Sequence, residues 1–452
     1  MSAVTLIYPY FHPPNDRSIF RFPPLGLGYI AAYLNQHNMP VDIVDCTFLS
    51  KGEALERVRH SNPKIIGIQS MFSMKRKAIE LARLLRHDGD LLVCGGPLPT
   101  LNPGDFLQDF DVVVIGEGEE TMLELVRSIE AGSDLSKIRG IAYKVDGRIT
   151  FTPKRELINE IDSIPFPARE LFENQSYKDY YSRRFGYTIT PIMTSRGCPF
   201  NCDFCSRPVF GETYRARSPR NVVDEIENAI SLGYDRIWFA DDCFTLGRSR
   251  LIGICDEIIR RGLKIGWECL SRVDSIDGGV TDRMRRAGCV RVFFGIESGN
   301  DAILALMNKR STVGKAREAV HLAKLAEIEV GAFFIIVYPG ETDETVLDTV
   351  RFASSLPLDY LSFTLPYPIP GTPLYERVRD RMIEAEWEAS SHPGLIEHEL
   401  LYRSSFSESK LKFAIMKGYL QFGLKKYLGT RGYKLIGGPV EHVTDHLFKA
   451  FR

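Results

Sequence analysis

Two stretches of this chain alternate short apolar, β-branched runs with helical stretches, and that alternation restricts them to parallel sheets covered by helices. In the first stretch, strands are expected at Val4–Tyr8, Val41–Val44, Ile65–Gln69, Leu91–Cys94 and Asp111–Ile115. Helices fall near Gly28–His37, Ala54–Arg59, Lys75–His87 and Glu120–Ala131. A connector rich in proline and charge follows (Thr152–Arg184). The second stretch gives strands at Thr188–Thr194, Arg236–Ala240, Lys264–Cys269, Val290–Gly295, Gly331–Val337 and Tyr360–Leu365. Its helices lie near Pro219–Leu232, Arg248–Arg261, Thr281–Ala287, Val313–Glu327 and Thr342–Ser355. Six strand-helix units make a partial (β/α)6 barrel of the TIM type with a lateral opening. The expected class is α/β: an N-terminal Rossmann-like domain (1–150), a connector (151–187), the barrel domain (188–385) and a small, mainly helical C-terminal region (386–452).

Within the second stretch, Arg196-Gly197-Cys198-Pro199-Phe200-Asn201-Cys202-Asp203-Phe204-Cys205 places three cysteines on one short loop at C-x3-C-x2-C spacing. Four irons held by three thiolates leave one iron open to a substrate or cofactor. A closed cluster or a structural zinc site needs a fourth Cys or His, yet the next cysteine is Cys243 and no histidine occurs between His87 and His321. Cys255 and Cys289 read as small core side chains, while Cys243 and Cys269 lie nearer strand ends.

Ligands of open parallel sheets and barrels gather at the carboxyl ends of strands. In the barrel those positions are polar: Asp241 and Asp242, Ser271 and Arg272, Glu297 and Ser298, then Gly340-Glu341-Thr342. In the first domain they are Gln69-Ser70-Met71-Phe72, Gly95-Gly96-Pro97 and Gly116-Glu117-Gly118-Glu119, where glycines admit a large ligand close to the backbone.

The cysteine loop and the strand leading into it resemble the signature of the radical S-adenosylmethionine (SAM) enzymes, with Gly295-Ile296-Glu297-Ser298 the strongest further match. The resemblance implies a 4Fe-4S cluster on Cys198, Cys202 and Cys205, and SAM at its open iron. Phe204 would then lie near the adenine. Asp241 or Asp242 would meet the SAM amino group, Arg272 its carboxylate and Glu297 its ribose. The backbone from Val337 to Gly340 would meet the adenine, with Ser271, Ser298 and Gly340 in the same ring.

Pro23-Pro24-Leu25-Gly26-Leu27-Gly28-Tyr29-Ile30-Ala31, the Gly95-Gly96-Pro97 turn and Gly116-Glu117-Gly118-Glu119, placed ahead of such a loop, look like the cobalamin-binding branch of that family, and the match runs from residue 4 to about 372. It implies cobalamin contacts from Leu25, Gly26, Gln69, Ser70, Met71, Phe72, Gly95, Gly96, Pro97, Gly116, Glu117 and Gly118. The Asp-x-His-x-x-Gly motif of many cobalamin proteins is absent, since His87 in Arg86-His87-Asp88-Gly89 does not fit it. Base-off binding without a lower histidine is therefore implied, with Met71 or Phe72 beneath the cobalt. Many relatives also carry histidine where this chain has Leu98.

The activity implied is C-methylation in the manner of class B radical SAM methyltransferases. Methyl passes from SAM by way of methylcobalamin to an unactivated carbon, after a 5'-deoxyadenosyl radical has removed hydrogen. A cobalamin-dependent radical SAM cyclase or rearrangement enzyme is the alternative, and a protein that senses SAM, cobalamin or redox state is a third. No single catalytic side chain is assigned. Partners implied are a reductant such as flavodoxin or ferredoxin and an acceptor that is a small molecule, a lipid or a peptide or protein side chain.

A formal net charge of -1 leaves no global basic field for a nucleic-acid backbone. Nine cysteines, an odd number with three in one loop, fit a reducing compartment. No apolar run reaches the ~18 residues of a membrane span and no charged leader precedes Val4, so a cytoplasmic location is expected. Residues 401–452 carry ten Lys or Arg against three Asp or Glu, interleaved with aromatics. There Leu411–Leu428 reads as an amphipathic helix closed by Gly429 that caps the barrel.

Overall fold

The computed structural model describes residues 4–11, 19–205, 210–383 and 400–450. Part of the expected C-terminal region, 386–399 and 451–452, lies outside the described residues. The chain divides into two compact units, 1–197 with 207–236, and 198–206 with 237–452.

The first unit opens with β1 (Val4–Tyr8), α1 (Leu25–Gln36), β2 (Val41–Asp45), α2 (Lys51–Ser61), β3 (Ile65–Gln69) and α3 (Lys75–Leu85). It continues through β4 (Leu91–Gly95), α4 (Pro97–Leu101), β5 (Val112–Val114), α5 (Glu119–Glu130), β6 (Ile141–Val145) and β7 (Arg148–Phe151). The sheet order is β2-β1-β3-β4-β5-β6-β7. Strands β1 to β5 run parallel, so the order reverses between β1 and β3, the place where open sheets of this class form a ligand crevice. Two apolar layers cover its faces, one around Leu27, Ala31, Met122 and Val126 and the other around Ala54, Val58, Ala78 and Leu81.

Strands β6 and β7 were not expected, and they are antiparallel. Their cause is local: Asp146 (φ 50°) and Gly147 (φ 77°) form a two-residue turn between Val145 and Arg148, the Asp-Gly signature of a tight hairpin. The connector likewise holds a helix, α6 (Asn174–Phe185). Its Tyr177 hydroxyl donates to Asp45 Oδ2 at 2.7 Å, which ties the helix to the end of β2. Then come β8 (Ile189–Ile192), β9 (Ser195–Arg196), β10 (Arg215–Ala216) and α7 (Pro219–Ser231). Glu225 of α7 is fully buried and accepts from Arg169 at 2.5 Å and from Arg217. A buried carboxylate between two guanidiniums is tolerable because each charge has its counterpart.

The second unit holds β11 (Arg236–Phe239), α8 (Arg248–Arg260), β12 (Gly266–Ser271), α9 (Gly278–Arg286), β13 (Cys289–Glu297), α10 (Asp301–Leu306) and α11 (Val313–Leu325). It ends with β14 (Glu329–Ile335), α12 (Asp343–Ser355), β15 (Tyr360–Thr364), α13 (Pro373–Val378) and α14 (Glu408–Ala450). The strand order β15-β14-β13-β12-β11-β8 is the expected six-strand succession. Trp267, Phe239, Phe244, Phe293, Phe294 and Phe334 are fully buried and fill the core, with Phe239 and Phe244 stacked at 4.0 Å.

The region α14 bears out the reading of Gly429. That glycine (φ 64°, ψ 176°) is non-helical and closes the first helical segment, and a second segment follows it. The helix packs on α12 and on β15, the strand at the end of the order. Gly418 makes this possible, since a Cβ there would stand 2.4 Å from the Phe363 ring.

Candidate active site

The cysteine loop is fixed at several backbone points inside the second unit. Asp203 N donates to Met307 O at 3.0 Å, Leu374 N to Asp203 O at 3.0 Å, and Asn308 Nδ2 to Asn201 O at 2.9 Å. Arg377 pairs with Asp203 at 2.8 Å. The loop is thus held by the end of α10 and the start of α13. Cys198, Cys202 and Cys205 are all half-buried and free of disulfides, whereas Cys243, Cys255, Cys269 and Cys289 are buried.

Around these thiols the strand ends converge as expected, with one addition. Arg272 Nη1 lies 3.8 Å from Cys202 Sγ, and the guanidinium sits 3.6 Å above the Phe200 ring. Its other nitrogens are committed: Nε and Nη2 to Asp274, both at 2.9 Å, and Nη2 also to Lys309 O at 2.7 Å. Glu297 is buried and pairs at 2.8 Å with Lys309, a residue that the strand-end reading missed because it follows α10. Lys309 Nζ is also 5.9 Å from the Phe204 ring. Burial alone would lower the Lys309 pKa, but the Glu297 and Cys202 charges outweigh it and raise the value.

The end of β13 is shaped for this pair. Register slips between Gly295 and Glu297, and Glu297 itself has φ 70°. A Cβ on Gly295 would stand 2.5 Å from Glu297 Oε1 and 3.1 Å from Lys309 Nζ, so a side chain there would displace the pair.

The remaining predicted positions separate. Asp242 is exposed and near enough to Cys198 to act on its charge, as does Cys243. Asp241 is buried, 3.6 Å from Arg250. Ser271 shares a 2.7 Å bond with Thr245, and the fully buried Ser298 shares a 3.0 Å bond with Thr349 of α12. Gly340 adopts φ 103° in the loop after β14.

In the first unit a cavity of about 230 Å³ opens along the carboxyl ends of the parallel strands. Gly26, Gln69, Gly95–Pro97 and Gly116–Gly118 line it, as expected, while Leu25, Ser70, Met71 and Phe72 do not. Ser70 is fully buried, and its backbone is bound to Gly95 and Leu98. Tyr29 and Ile30 of the motif at 23–31 also line the cavity, as do Met193, Arg196 and Phe210, which were missed. These three come from beyond residue 190, which no reading of the first domain alone reaches.

The residues present fit the groups they are expected to hold. Among the described residues no three His, Cys, Asp or Glu side chains are arranged for a single metal ion. At the cavity, a Cβ on Gly26 or Gly116 would meet nothing within 4 Å, so the room above those residues is not needed by the protein itself. Gln69 Oε1 is buried there without a hydrogen-bond partner, a polar atom awaiting a ligand. Among the described residues no histidine lines the cavity, and His87 is exposed.

A doubly wound domain with a glycine-rimmed crevice and a barrel with a three-cysteine loop define a cobalamin-dependent radical SAM enzyme. Family comparison matches the Radical SAM superfamily over residues 192–353 and the B12 binding domain over residues 17–126. An uncharacterized methyltransferase of Pyrococcus horikoshii is 33% identical over 429 residues, covering 91% of each chain. The anaerobic magnesium-protoporphyrin IX monomethyl ester cyclase of Cereibacter sphaeroides is 28% identical, covering 94% of this chain and 71% of its own. Among solved structures, the cobalamin-dependent SAM radical enzyme OxsB superposes with a TM-score of 0.76 at 19% identity, covering 99% of this chain and 72% of that one. The radical SAM methyltransferase TsrM of Kitasatospora setae gives 0.72 at 20% identity, with 84% and 75% covered. The chain belongs to the cobalamin-binding radical SAM methyltransferase family. It is an enzyme whose cofactors are a 4Fe-4S cluster, SAM and cobalamin. No helix among the described residues is long and apolar enough to cross a membrane.

Proposed function

We propose that this enzyme transfers a methyl group from SAM to an unactivated carbon. The observation that carries this reading is the identity of 33% over 91% of both chains to a methyltransferase. Cys198, Cys202 and Cys205 would hold the cluster, Glu297, Lys309, Arg272 and Asp242 would orient SAM, and the glycine rim with Gln69 would hold cobalamin. When bound, these groups supply reductive cleavage of SAM, hydrogen abstraction and methyl carriage. The protein's own part is placement. Arg272 Nη1 stands beside Cys202 Sγ, and the Glu297–Lys309 pair presents a fixed donor and acceptor with little reorganisation. Burial around Phe204, Tyr338 and Tyr402 excludes water from this side of the loop. A low-potential reductant of the flavodoxin or ferredoxin type would supply electrons, and a cytoplasmic location suits an oxygen-sensitive cluster.

Ring formation is the second reading, favoured by the cyclase relative at 28% identity over 94% of this chain. SAM bearing a trideuterated methyl group separates the two. Methyl transfer requires the label to appear in product, whereas an unlabelled product that has only lost hydrogen would refute it.

A further inference from the structure

The three-cysteine loop has a stem: β9 pairs with β10, placing Arg196 opposite Arg215. Both arginines converge on one carboxylate of the cavity rim. Arg196 Nη1 donates to Glu117 Oε1 at 2.8 Å, and Arg215 Nη1 donates to Glu117 Oε1 and Oε2 at 3.0 and 2.9 Å. Glu117 Oε2 also accepts from Ile158 N at 2.8 Å, and Arg196 Nη2 reaches Glu119 at 2.5 Å. All four side chains are less than a tenth exposed and belong to the first unit.

Burial would raise the Glu117 pKa, but the Arg196 charge and the hydrogen bonds from both arginines hold it below the usual carboxylate range. Its acceptor positions are therefore filled from within the protein, although its turn, between Gly116 (φ 83°) and Gly118, borders the cavity. The stem tolerates no slack. Gly197 has φ 81°, and a Cβ there would stand 2.1 Å from Thr213 O on the other leg. Cys198 follows one residue later.

We propose that Glu117 is a positioning residue that couples occupancy of the cavity to the order of the cysteine loop. A ligand resting on the Gly116–Gly118 turn fixes the Glu117 backbone. Its carboxylate, through Arg196 and Arg215, then fixes both legs of the stem. Cobalamin in the cavity thereby protects the cluster, and by reciprocity an intact cluster loop tightens cobalamin. This coupling goes beyond the identity of the reaction, since it holds for methyl transfer and for ring formation alike.

The test measures iron release from the anaerobically reconstituted full chain into a ferrous chelator, with and without hydroxocobalamin. In the natural protein, saturating cobalamin slows release at least about 5-fold, the lower end of ordinary coupling between sites. In Glu117→Gln, saturating cobalamin slows release less than about 1.5-fold, because the charged link is gone. Full slowing in that variant overturns the proposal, as does an absence of slowing in the natural protein. Loss of cobalamin binding with unchanged release from the cobalamin-free form also overturns it, by making Glu117 an ordinary contact. Should Glu117→Gln not fold, Arg215→Gln decides, since it cuts one leg and keeps the Glu117–Arg196 pair. Slowing lost in Arg215→Gln supports the coupling, and slowing retained refutes it.

Discussion

At the scale of single residues, pairing governs what the strand-end positions do. Glu297 was legible because it ends a strand in a recognisable Gly-Ile-Glu-Ser run, but Lys309 was not, because its side chain returns from beyond α10 to meet it at 2.8 Å. Both members are buried, so removing one leaves the other uncompensated, at a cost of roughly 3 to 5 kcal/mol. Lys309→Met should therefore lower thermal stability and cut 5'-deoxyadenosine formation more than ~10-fold, the size of one lost charge-assisted contact. Adding Glu297→Gln should recover the stability without recovering the radical product. Unchanged stability in the single variant, read by differential scanning fluorimetry, would show that the pair is not the closed unit described. The same lesson holds at Glu117. Sequence placed it correctly on the cavity rim, yet its partners lie about 80 and 100 positions away, and spacing carries no record of them.

At the scale of elements, periodicity carried nearly everything that is repetitive, and every expected strand of both sheets formed within a few residues. What escaped was either short or dependent on tertiary context: the β6–β7 hairpin and α6 within the connector. The loop after β14 shows why strand ends carry strain. Val337 is β-branched at φ 67°, a conformation costing of order 1 to 3 kcal/mol, and surrounding bonds must hold it. Glu341 Oε2 accepts from Tyr338 N at 2.8 Å, and the Tyr402 hydroxyl donates to Val337 O at 3.2 Å. Burial dominates the Glu341 pKa and pushes it up to about 8, against the lowering effect of those backbone bonds. Between about 4.5, its unfolded value, and about 8, the folded protein holds a proton that the unfolded chain lacks. Stability from this group is complete below that window and falls as pH climbs through it. Glu341→Gln should remove up to one proton's worth of slope from a plot of unfolding free energy against pH in that window. An identical slope in the variant would assign the pH dependence elsewhere.

At the scale of the whole molecule, the question is what two cofactor-bearing domains on one chain accomplish together. A binding domain that merely tightened substrate would raise turnover of SAM into one product only. Methyl transfer by the proposed route consumes SAM twice per turnover, once as methyl donor and once as radical source, so two different remnants must accumulate. S-adenosylhomocysteine and 5'-deoxyadenosine should therefore appear in about equal amounts, each matching methylated product, once conditions suppress unproductive SAM cleavage. Ring formation without methyl transfer would leave 5'-deoxyadenosine unaccompanied. Residue substitution sharpens the comparison, because Arg272 and Glu297 lie at the cysteine loop and, in the proposed reading, would orient SAM for cleavage there. Arg272→Ala or Glu297→Ala should suppress 5'-deoxyadenosine more than ~10-fold, while S-adenosylhomocysteine formed with chemically reduced cobalamin declines less. A parallel fall of both remnants would mean that one SAM pose serves both steps, and the separate orienting roles assigned to these side chains would have to be abandoned.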